Sequence, residues 1–305
     1  MDKCPFFGKC GGCKYDFTSL DYQKNKESEL SKIENLSSPI WCPFGVRTRA
    51  DFCFSPNAFG FFTKSSKDII KITHCINLDD EINKIIPELA KLPWGCNGSC
   101  LVTKCDNGID VCINATVDYV SSEFKSSVLK LPILRMTWNG KKVLCNAVPM
   151  VRFGENLIEY QSGAFMQPVD SKYSGLREMV VQNAFGRVAD LFCGLGNFTF
   201  DLDADGFDIV GNGIKRDLFK HPLTLAMLSK YDCVVMDPPR SGALEQTKVL
   251  AKSDVKKIIY ISCNPNTFIR DSKILCAGGY TISKIIPIDQ FVGSSHWELF
   301  SVFEK

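Results

Sequence analysis

No stretch of this chain approaches the roughly 20 consecutive apolar residues of a membrane span. Its opening, Met1-Asp2-Lys3-Cys4-Pro5, lacks the apolar core of a secretory leader. Charge of one sign is also missing. The formal net charge is +2, which neither supports nor excludes a nucleic-acid partner, so any basic face has to be local. Arg47, Arg49, Lys64, Lys67 and Lys71 fall close together and are candidates for one; charge alone equally allows a solvated surface. Internal repeats and low-complexity linkers are absent too. Cysteine, by contrast, is plentiful, at 15 in 305 residues. In a chain of this length without a leader, a reducing, cytoplasmic setting is expected. The thiols then serve as metal ligands, as a reactive group or as small buried hydrophobes. The chain is long enough for two domains with a sizeable core.

Two styles of sequence divide it. Residues 1–30 are cysteine-rich and then polar, with a helix expected over residues 19–33. Short alternating or apolar runs at 50–55, 59–63, 108–115 and 143–152 predict a β-rich unit across residues 40–160. Within it, residues 79–92 have helical spacing, with Ile82, Ile85, Ile86 and Leu89 on one face. From about residue 170, strand-like runs at 188–191, 207–210, 233–236 and 258–261 end in loops of special composition, with helical segments in most gaps. That alternation predicts a parallel α/β sheet holding ligands at its C-terminal strand ends.

Three of those loops carry chemistry. In Asp190-Leu191-Phe192-Cys193-Gly194-Leu195-Gly196-Asn197-Phe198 a strand runs into a glycine turn. A backbone without Cβ atoms can approach a ligand there. The third glycine or Gly-Lys-Ser/Thr of a phosphate loop is missing, and an ordinary strand-to-helix turn fits equally well. In Asp237-Pro238-Pro239-Arg240 the two prolines fix the backbone and remove two amide donors, a rigid edge able to flank a planar base. Ser262-Cys263-Asn264-Pro265 places a thiol where a strand meets a loop, and His296-Trp297-Glu298 lets a carboxylate project from a strand end. Carbon 5 of uracil is a poor nucleophile. A thiolate adding to C6 makes C5 electron-rich, and a base must then remove the C5 proton. Cys263 suits the first task and Glu298 the second. A base stacked inside a helix cannot reach such a pocket, so the target has to be flipped or looped out.

Together with Gly163-Ala164-Phe165-Met166-Gln167, these motifs resemble the bacterial RNA uracil-C5 methyltransferase family, in order along the chain. The resemblance implies a Rossmann-like class I, S-adenosylmethionine-dependent methyltransferase domain over residues 161–305, an α/β fold. Ahead of it lies an N-terminal α+β domain, residues 1–160, that carries the cysteine cluster and faces RNA. It implies that Gln167, Phe192, Asn197, Asp217 and Asp237 line the adenosylmethionine and uracil site. It also implies Cys263 as nucleophile and Glu298 as proton acceptor. The expected substrate is structured RNA, 23S ribosomal RNA ahead of tRNA, and the enzyme is expected to be a cytoplasmic monomer without membrane attachment.

Cys4, Cys10 and Cys13 form a tight ligand cluster, and Cys75 is the candidate fourth thiolate. Spacing alone suits zinc and an iron–sulfur cluster equally; the resemblance to the cluster-bearing members implies [4Fe–4S]. The Cys-x3-Cys-x2-Cys spacing of radical enzymes is absent, so a structural or RNA-contacting cluster is expected. Cys96, Cys100 and Cys105 read as spare thiols.

Two departures from the family pattern stand out. The chain starts at the cysteine cluster, without the small RNA-binding β-barrel of some relatives, so RNA affinity is expected from the central domain and cluster region. The cofactor half is shortened near residues 211–217: the acidic ribose anchor, a helix and a strand are missing. A parallel crossover takes about a dozen residues, so none is expected there, and cofactor binding is expected to be weak unless Asp208 or Asn212 substitutes. Two other readings remain: a metal-stapled RNA-binding protein with a decayed methyltransferase half, and a base amino-group methyltransferase, which needs no thiol.

Overall fold

The structure is a computed structural model and describes residues 3–305. Of the stretch 19–33, only α1 (Tyr22–Glu27) and a 3-10 turn at Ser28–Leu30 are helical. Asp21 makes no side-chain cap and the first turn carries no acid. So short a helix has little stability of its own. After β1 (Ile40–Trp41) come β2 (Arg49–Ser55), β3 (Ala58–Phe62), β4 (Ile69–Lys71), α2 (Asp80–Ala90), β5 (Gly98–Cys105), β6 (Gly108–Ala115), α3 (Ser122–Val128), β7 (Arg135–Trp138) and β8 (Lys141–Cys145). Strands β2–β8 form one sheet in the order β4-β3-β2-β5-β6-β7-β8. Asp79 caps α2 by accepting the Glu81 N–H, and the expected face, Ile82, Ile85, Ile86 and Leu89, is buried against the sheet with Phe124 of α3.

A hairpin, β9 (Met150–Phe153) and β10 (Asn156–Glu159), leads to α4 (Ser171–Ser174) and α5 (Leu176–Asn183). The expected run at 143–152 is therefore two strands, broken at Asn146 to Pro149. The second sheet uses β11 (Val188–Leu191), β12 (Asp205–Asp208), β13 (Ile214–Lys215), β14 (Cys233–Met236), β15 (Lys257–Ser262), β16 (Thr281–Asp289) and β17 (Glu298–Glu304), with α6 (Leu225–Leu228), α7 (Leu244–Leu250) and α8 (Pro265–Ala277) between them. Its order is β1-β16-β17-β15-β14-β11-β12-β13. The central strands β11, β14 and β15 are buried on both faces, each between two apolar clusters, as parallel strands under helices require. The mixed α/β fold expected for this half is present.

Two features of this sheet were not expected. Ile40 pairs with Ile288, so residues 40–41 belong to the second sheet, and Tyr22, Leu30 and Cys42 pack in its cores. At the far edge, β12 and β13 are parallel although only five residues, 209–213, separate them. A crossover of a dozen residues has to retrace a whole strand; β13 pairs through two residues, and a return of about 7 Å suffices. No helix of the described residues is long and apolar enough to cross a membrane.

Candidate active site

The chain leaves β11 for β12 on one side of it and returns to β14 on the other. The C-terminal ends of β11 and β14 therefore flank the switch point where open α/β sheets bind ligands. Leu191 pairs with Met236, so the glycine turn and the Asp237 loop start side by side. Next to β14, Ser262 of β15 pairs with Leu299 of β17. One step further in that register brings Cys263 opposite Glu298.

A cavity of about 600 Å³ opens here. Phe192, Gly194, Asp217, Asp237, Cys263 and Glu298 all line it. Gln167 reaches the same group from behind, its Nε2 donating to Asp237 Oδ2 at 2.8 Å. Asn197 does not join them. It lines a separate polar cleft with Arg177 and Tyr173, on the other side of Gln167. The cavity's remaining walls include Phe219, which meets Phe192 at 5.3 Å between ring centres, and Phe291 and His296 from the loop before β17.

Two buried carboxyl groups and a thiol, Asp237, Glu298 and Cys263, share this space. Glu298 is buried, and its Oε1 has no hydrogen-bond partner. Burial, then the Asp237 charge, holds its carboxyl well above the usual range. Asp237 is pushed up to about 7 by burial and by Asp190, against the Gln167 hydrogen bond. Burial, then Glu298 and Asp237, push the Cys263 thiol up to about 12, while the Arg240 guanidinium works the other way. Cost-bearing arrangements of this kind cluster at functional sites. Asn264 ties the loops together: it caps α8 through Asn266 N–H at 3.1 Å and donates Nδ2 to Arg240 O at 2.8 Å. Neither this brace nor the proximity of Arg240 was readable in the sequence, although Asn-Pro at a strand end is a helix-start signal.

The shortened segment folds onto the glycine turn. Asp208 accepts the Gly194 N–H at 2.8 Å and the Val210 N–H at 3.0 Å, and Asn212 N–H donates to Gly194 O at 3.2 Å. Gly211, at φ +78°, is packed so closely that a Cβ would stand 1.7 Å from Gly194 O. Asp208 therefore serves as a brace for the turn. Asp217 is held in the same way, accepting from the backbone of Phe219 and Lys220 at 3.1 and 3.2 Å.

Cys13, far from the C-terminus in sequence, lies beside the loop that leads into β17, its Sγ against Gly293. Cys13 is pushed up to about 12, first by burial and then by Cys75, Cys10 and Cys4, so the four are within electrostatic reach of one another. Gly12 N–H donates to Cys10 Sγ at 3.4 Å, and the amides of Asn77 and Leu78 act against burial at Cys75. Such donors suit thiolate ligands. Among the described residues, the thiols do not close into a group that could hold a single metal ion. Tetrahedral zinc would draw its sulfurs to about 3.8 Å from one another. Arg47, expected on a basic face, instead has its guanidinium desolvated beside Cys75 and Cys13; Lys64, Lys67 and Lys71 are exposed. Cys100 and Cys105 are buried in apolar surroundings.

The chain is similar to known RNA methyltransferases in sequence and in fold. A family model described as tRNA (uracil-5-)-methyltransferase matches residues 215–305. An RNA methyltransferase of Mesorhizobium japonicum is 30% identical, covering 99% of this chain and 84% of the relative. A 23S rRNA (uracil(1939)-C(5))-methyltransferase of Shewanella halifaxensis is 28% identical, covering 99% and 81%. The alignment with the first runs over 348 positions against a chain of 305 residues, so the relative carries segments that this chain lacks. The crystal structure of Pyrococcus abyssi tRNA (uracil-54, C5)-methyltransferase in complex with S-adenosyl-L-homocysteine superposes with a TM-score of 0.73 at 20% identity, covering 93% of this chain and 83% of that one.

Proposed function

The chain belongs to the RNA (uracil-5-)-methyltransferase family, and we propose that it methylates C5 of a uridine in structured RNA, 23S ribosomal RNA ahead of tRNA, through a covalent Cys263 adduct. The observation that carries this reading is the single cavity shared by Gly194, Asp237, Cys263 and Glu298. Gln167, Phe192, Asp217 and Asp237 are assigned to the cofactor and the uracil ring, and Asn197 to support from outside the cavity. Residues 1–160 are assigned to RNA contact and residues 161–305 to methyl transfer, by a monomer in the cytoplasm.

Cys263 Sγ, as thiolate, adds to C6 of the uracil, and the Arg240 guanidinium beside it favours that ionisation. C5 becomes electron-rich as the C5–C6 double bond is broken. S-adenosylmethionine, when bound, would supply the methyl group and a positive charge near Asp237 and Glu298. Glu298 then takes the C5 proton, the double bond re-forms and the Cys263 thiolate leaves. Glu298 has to be ionised for that step, and its unpartnered Oε1 is the atom free to accept. Gln167 fixes Asp237 at the mouth of the glycine turn.

Cys4, Cys10, Cys13 and Cys75 are assigned as ligands of a [4Fe–4S] cluster. The assignment rests on the spacing of the four cysteines and the electrostatic reach of Cys75, Cys10 and Cys4 to Cys13. Its role is structural, with no step of the reaction passing through it.

Incubation with RNA containing 5-fluorouridine and S-adenosylmethionine is expected to trap a covalent protein–RNA adduct, because fluorine blocks the proton removal. Cys263→Ala should abolish it. The fold of residues 209–213 onto Gly194 favours a second reading, an RNA-binding protein whose cofactor site is closed. No adduct, together with no heat of S-adenosylhomocysteine binding by calorimetry, would establish that reading instead.

A further inference from the structure

Residues 160–169 join the β9–β10 hairpin to α4, and the middle of this strap reaches the cavity. Ala164 and Phe165 line the cavity, and Gln167 holds Asp237 from behind. Both ends of the strap are fastened to the first sheet or to the residues leading into β2. At the far end, Thr48 N–H donates to Pro168 O at 2.9 Å, and Val169 bridges to Arg47. At the near end, every second residue is held. Tyr160 is fully buried; its carbonyl accepts Arg135 Nη2 at 2.6 Å, and its hydroxyl donates to Ala164 O at 2.9 Å. Between them, the Ser162 hydroxyl donates to Asp110 Oδ2 at 2.9 Å and lies 3.0 Å from Thr137 Oγ1. Gly163 follows at φ +80°, where a Cβ would meet Cys112 Sγ at 3.1 Å.

The group that Ser162 binds is itself fixed. Asp110 of β6 and Arg135 of β7 are register partners, and Arg135 Nε donates to Asp110 Oδ1 at 2.6 Å. Both are buried, and neither lines the cavity. An ion pair of this kind contributes little net stability, yet losing one partner strands a buried charge, so its geometry is enforced. Its second donor and second acceptor both go to the strap, at Tyr160 and Ser162. We propose that Ser162 is a positioning residue: held by the Asp110–Arg135 pair, it fixes the strap and so places Phe165 and Gln167 in the cavity. This rests on the catalytic reading above. Only three residues separate Ala164 from Pro168, so a fixed near end leaves Gln167 little room to move. Without the Ser162 contact the strap opens locally from Gln161 onwards, and Gln167 holds Asp237 less well. Reacting groups tolerate this poorly, since a misplacement of ~1 Å can cost about 10²-fold in rate.

The test uses the full-length protein, first without RNA and then with it. Ser162→Ala removes the hydroxyl and leaves the ion pair in place; Ser162→Thr returns a hydroxyl. Amide hydrogen exchange, read by mass spectrometry on peptides covering 160–169, should rise about tenfold in Ser162→Ala, the low end for a hydrogen bond to a charged group. Peptides from β14 should stay unchanged, and Ser162→Thr should exchange as the unaltered protein does. With 5-fluorouridine RNA and S-adenosylmethionine, Ser162→Ala should form adduct about tenfold more slowly at saturation, with the half-saturating RNA concentration unmoved. Gln167→Ala should also be slow, and adding Ser162→Ala to it should slow it no further, because both act at one point. A merely structural Ser162 would instead lower the folded fraction and add its effect to that of Gln167→Ala. Unchanged exchange at 160–169, or fully additive losses in the double variant, overturns the proposal. An unaltered protein that forms no adduct overturns the catalytic reading instead; exchange, read without RNA, still decides whether Ser162 holds the strap.

Discussion

Asp289 ends β16, Glu298 begins β17, and Glu298 pairs with the neighbour of Asp289, Ile288. Both carboxylates are buried, and the protein treats them in opposite ways. Asp289 receives Lys26 Nζ and the Tyr22 hydroxyl, with Trp297 packed under the ammonium at 5.0 Å. Burial raises its carboxyl, and Lys26 opposes that shift. Glu298 receives no donor at Oε1 and has another acid for a neighbour. Asp289 is matched with a cation, whereas Glu298, the proposed base, is left without a donor at Oε1. Burial alone does not separate the two, whereas the count of partners does.

The largest expected effect breaks the hungry member. Glu298→Gln keeps the volume but cannot take a proton, and turnover on unmodified RNA should fall about 10²- to 10⁴-fold. The enzyme should then accumulate a covalent adduct with ordinary uridine, visible by gel shift under denaturing conditions. A variant that still turns over at a tenth of the normal rate would remove Glu298 from the role of base.

Breaking the matched member should act on stability. Lys26→Met leaves Asp289 buried without its cation and should cost about 3–5 kcal/mol of folding stability, read from denaturant midpoints. Lys26 also holds Phe291 O, so adduct formation should slow in whatever folded protein remains. A Lys26→Met protein as stable as the original would show that Asp289 can be left alone just as Glu298 is.

A third effect is graded by pH. Burial, with Glu298 and Asp237, holds the Cys263 thiol up to about 12. Below its pKa the thiolate fraction rises tenfold for each pH unit, so adduct formation with 5-fluorouridine RNA should accelerate about tenfold per unit between roughly pH 7 and 9. A flat profile in that range would mean that the bound substrates already ionise the thiol.

Of the two carboxylates only Glu298 stood out in the sequence. Cys263, just after the apolar run of β15, and Glu298, just before that of β17, were readable as strand-end positions. The helix at 79–92 was readable from four aliphatic residues on one face. What escaped depended on contacts between distant segments. Nothing local marks Ile40 and Trp41 as an edge of the second sheet, since two residues carry no periodicity. Asn197 follows the glycine turn in sequence, yet the chain turns it to the far side of Gln167. The segment 211–217 reads as too short for a parallel connection because the rule assumes strands of ordinary length, whereas β13 pairs through two residues. The role of Lys26 was hidden in a polar stretch where a buried lysine looks like any other.

The smallest effect separates the two carboxylate environments by sign. The folded-state carboxyl of Asp237 titrates near 7 against an ordinary value of 3.8, mainly through burial. A raised carboxyl pKa means that the folded chain holds a proton which the unfolded chain releases. Below about pH 4 both states are protonated and Asp237 carries no penalty. Between about 4 and 7 the unfolded state ionises first and stability falls, and above 7 the penalty is complete. Asp237→Asn removes that titration while its side-chain oxygen can still accept from Gln167. It should match the original protein at pH 4 and exceed it at pH 8 by about 1–3 kcal/mol, the usual cost of a poorly compensated buried polar group. Asp289→Asn, which strands Lys26 as a buried cation, should be less stable at both. Thermal unfolding of the two variants at the two pH values tests the pair together. If Asp237→Asn loses stability at pH 8, the cavity compensates its acids as well as the Lys26 site does, and the distinction between a structural and a working carboxylate fails in this protein.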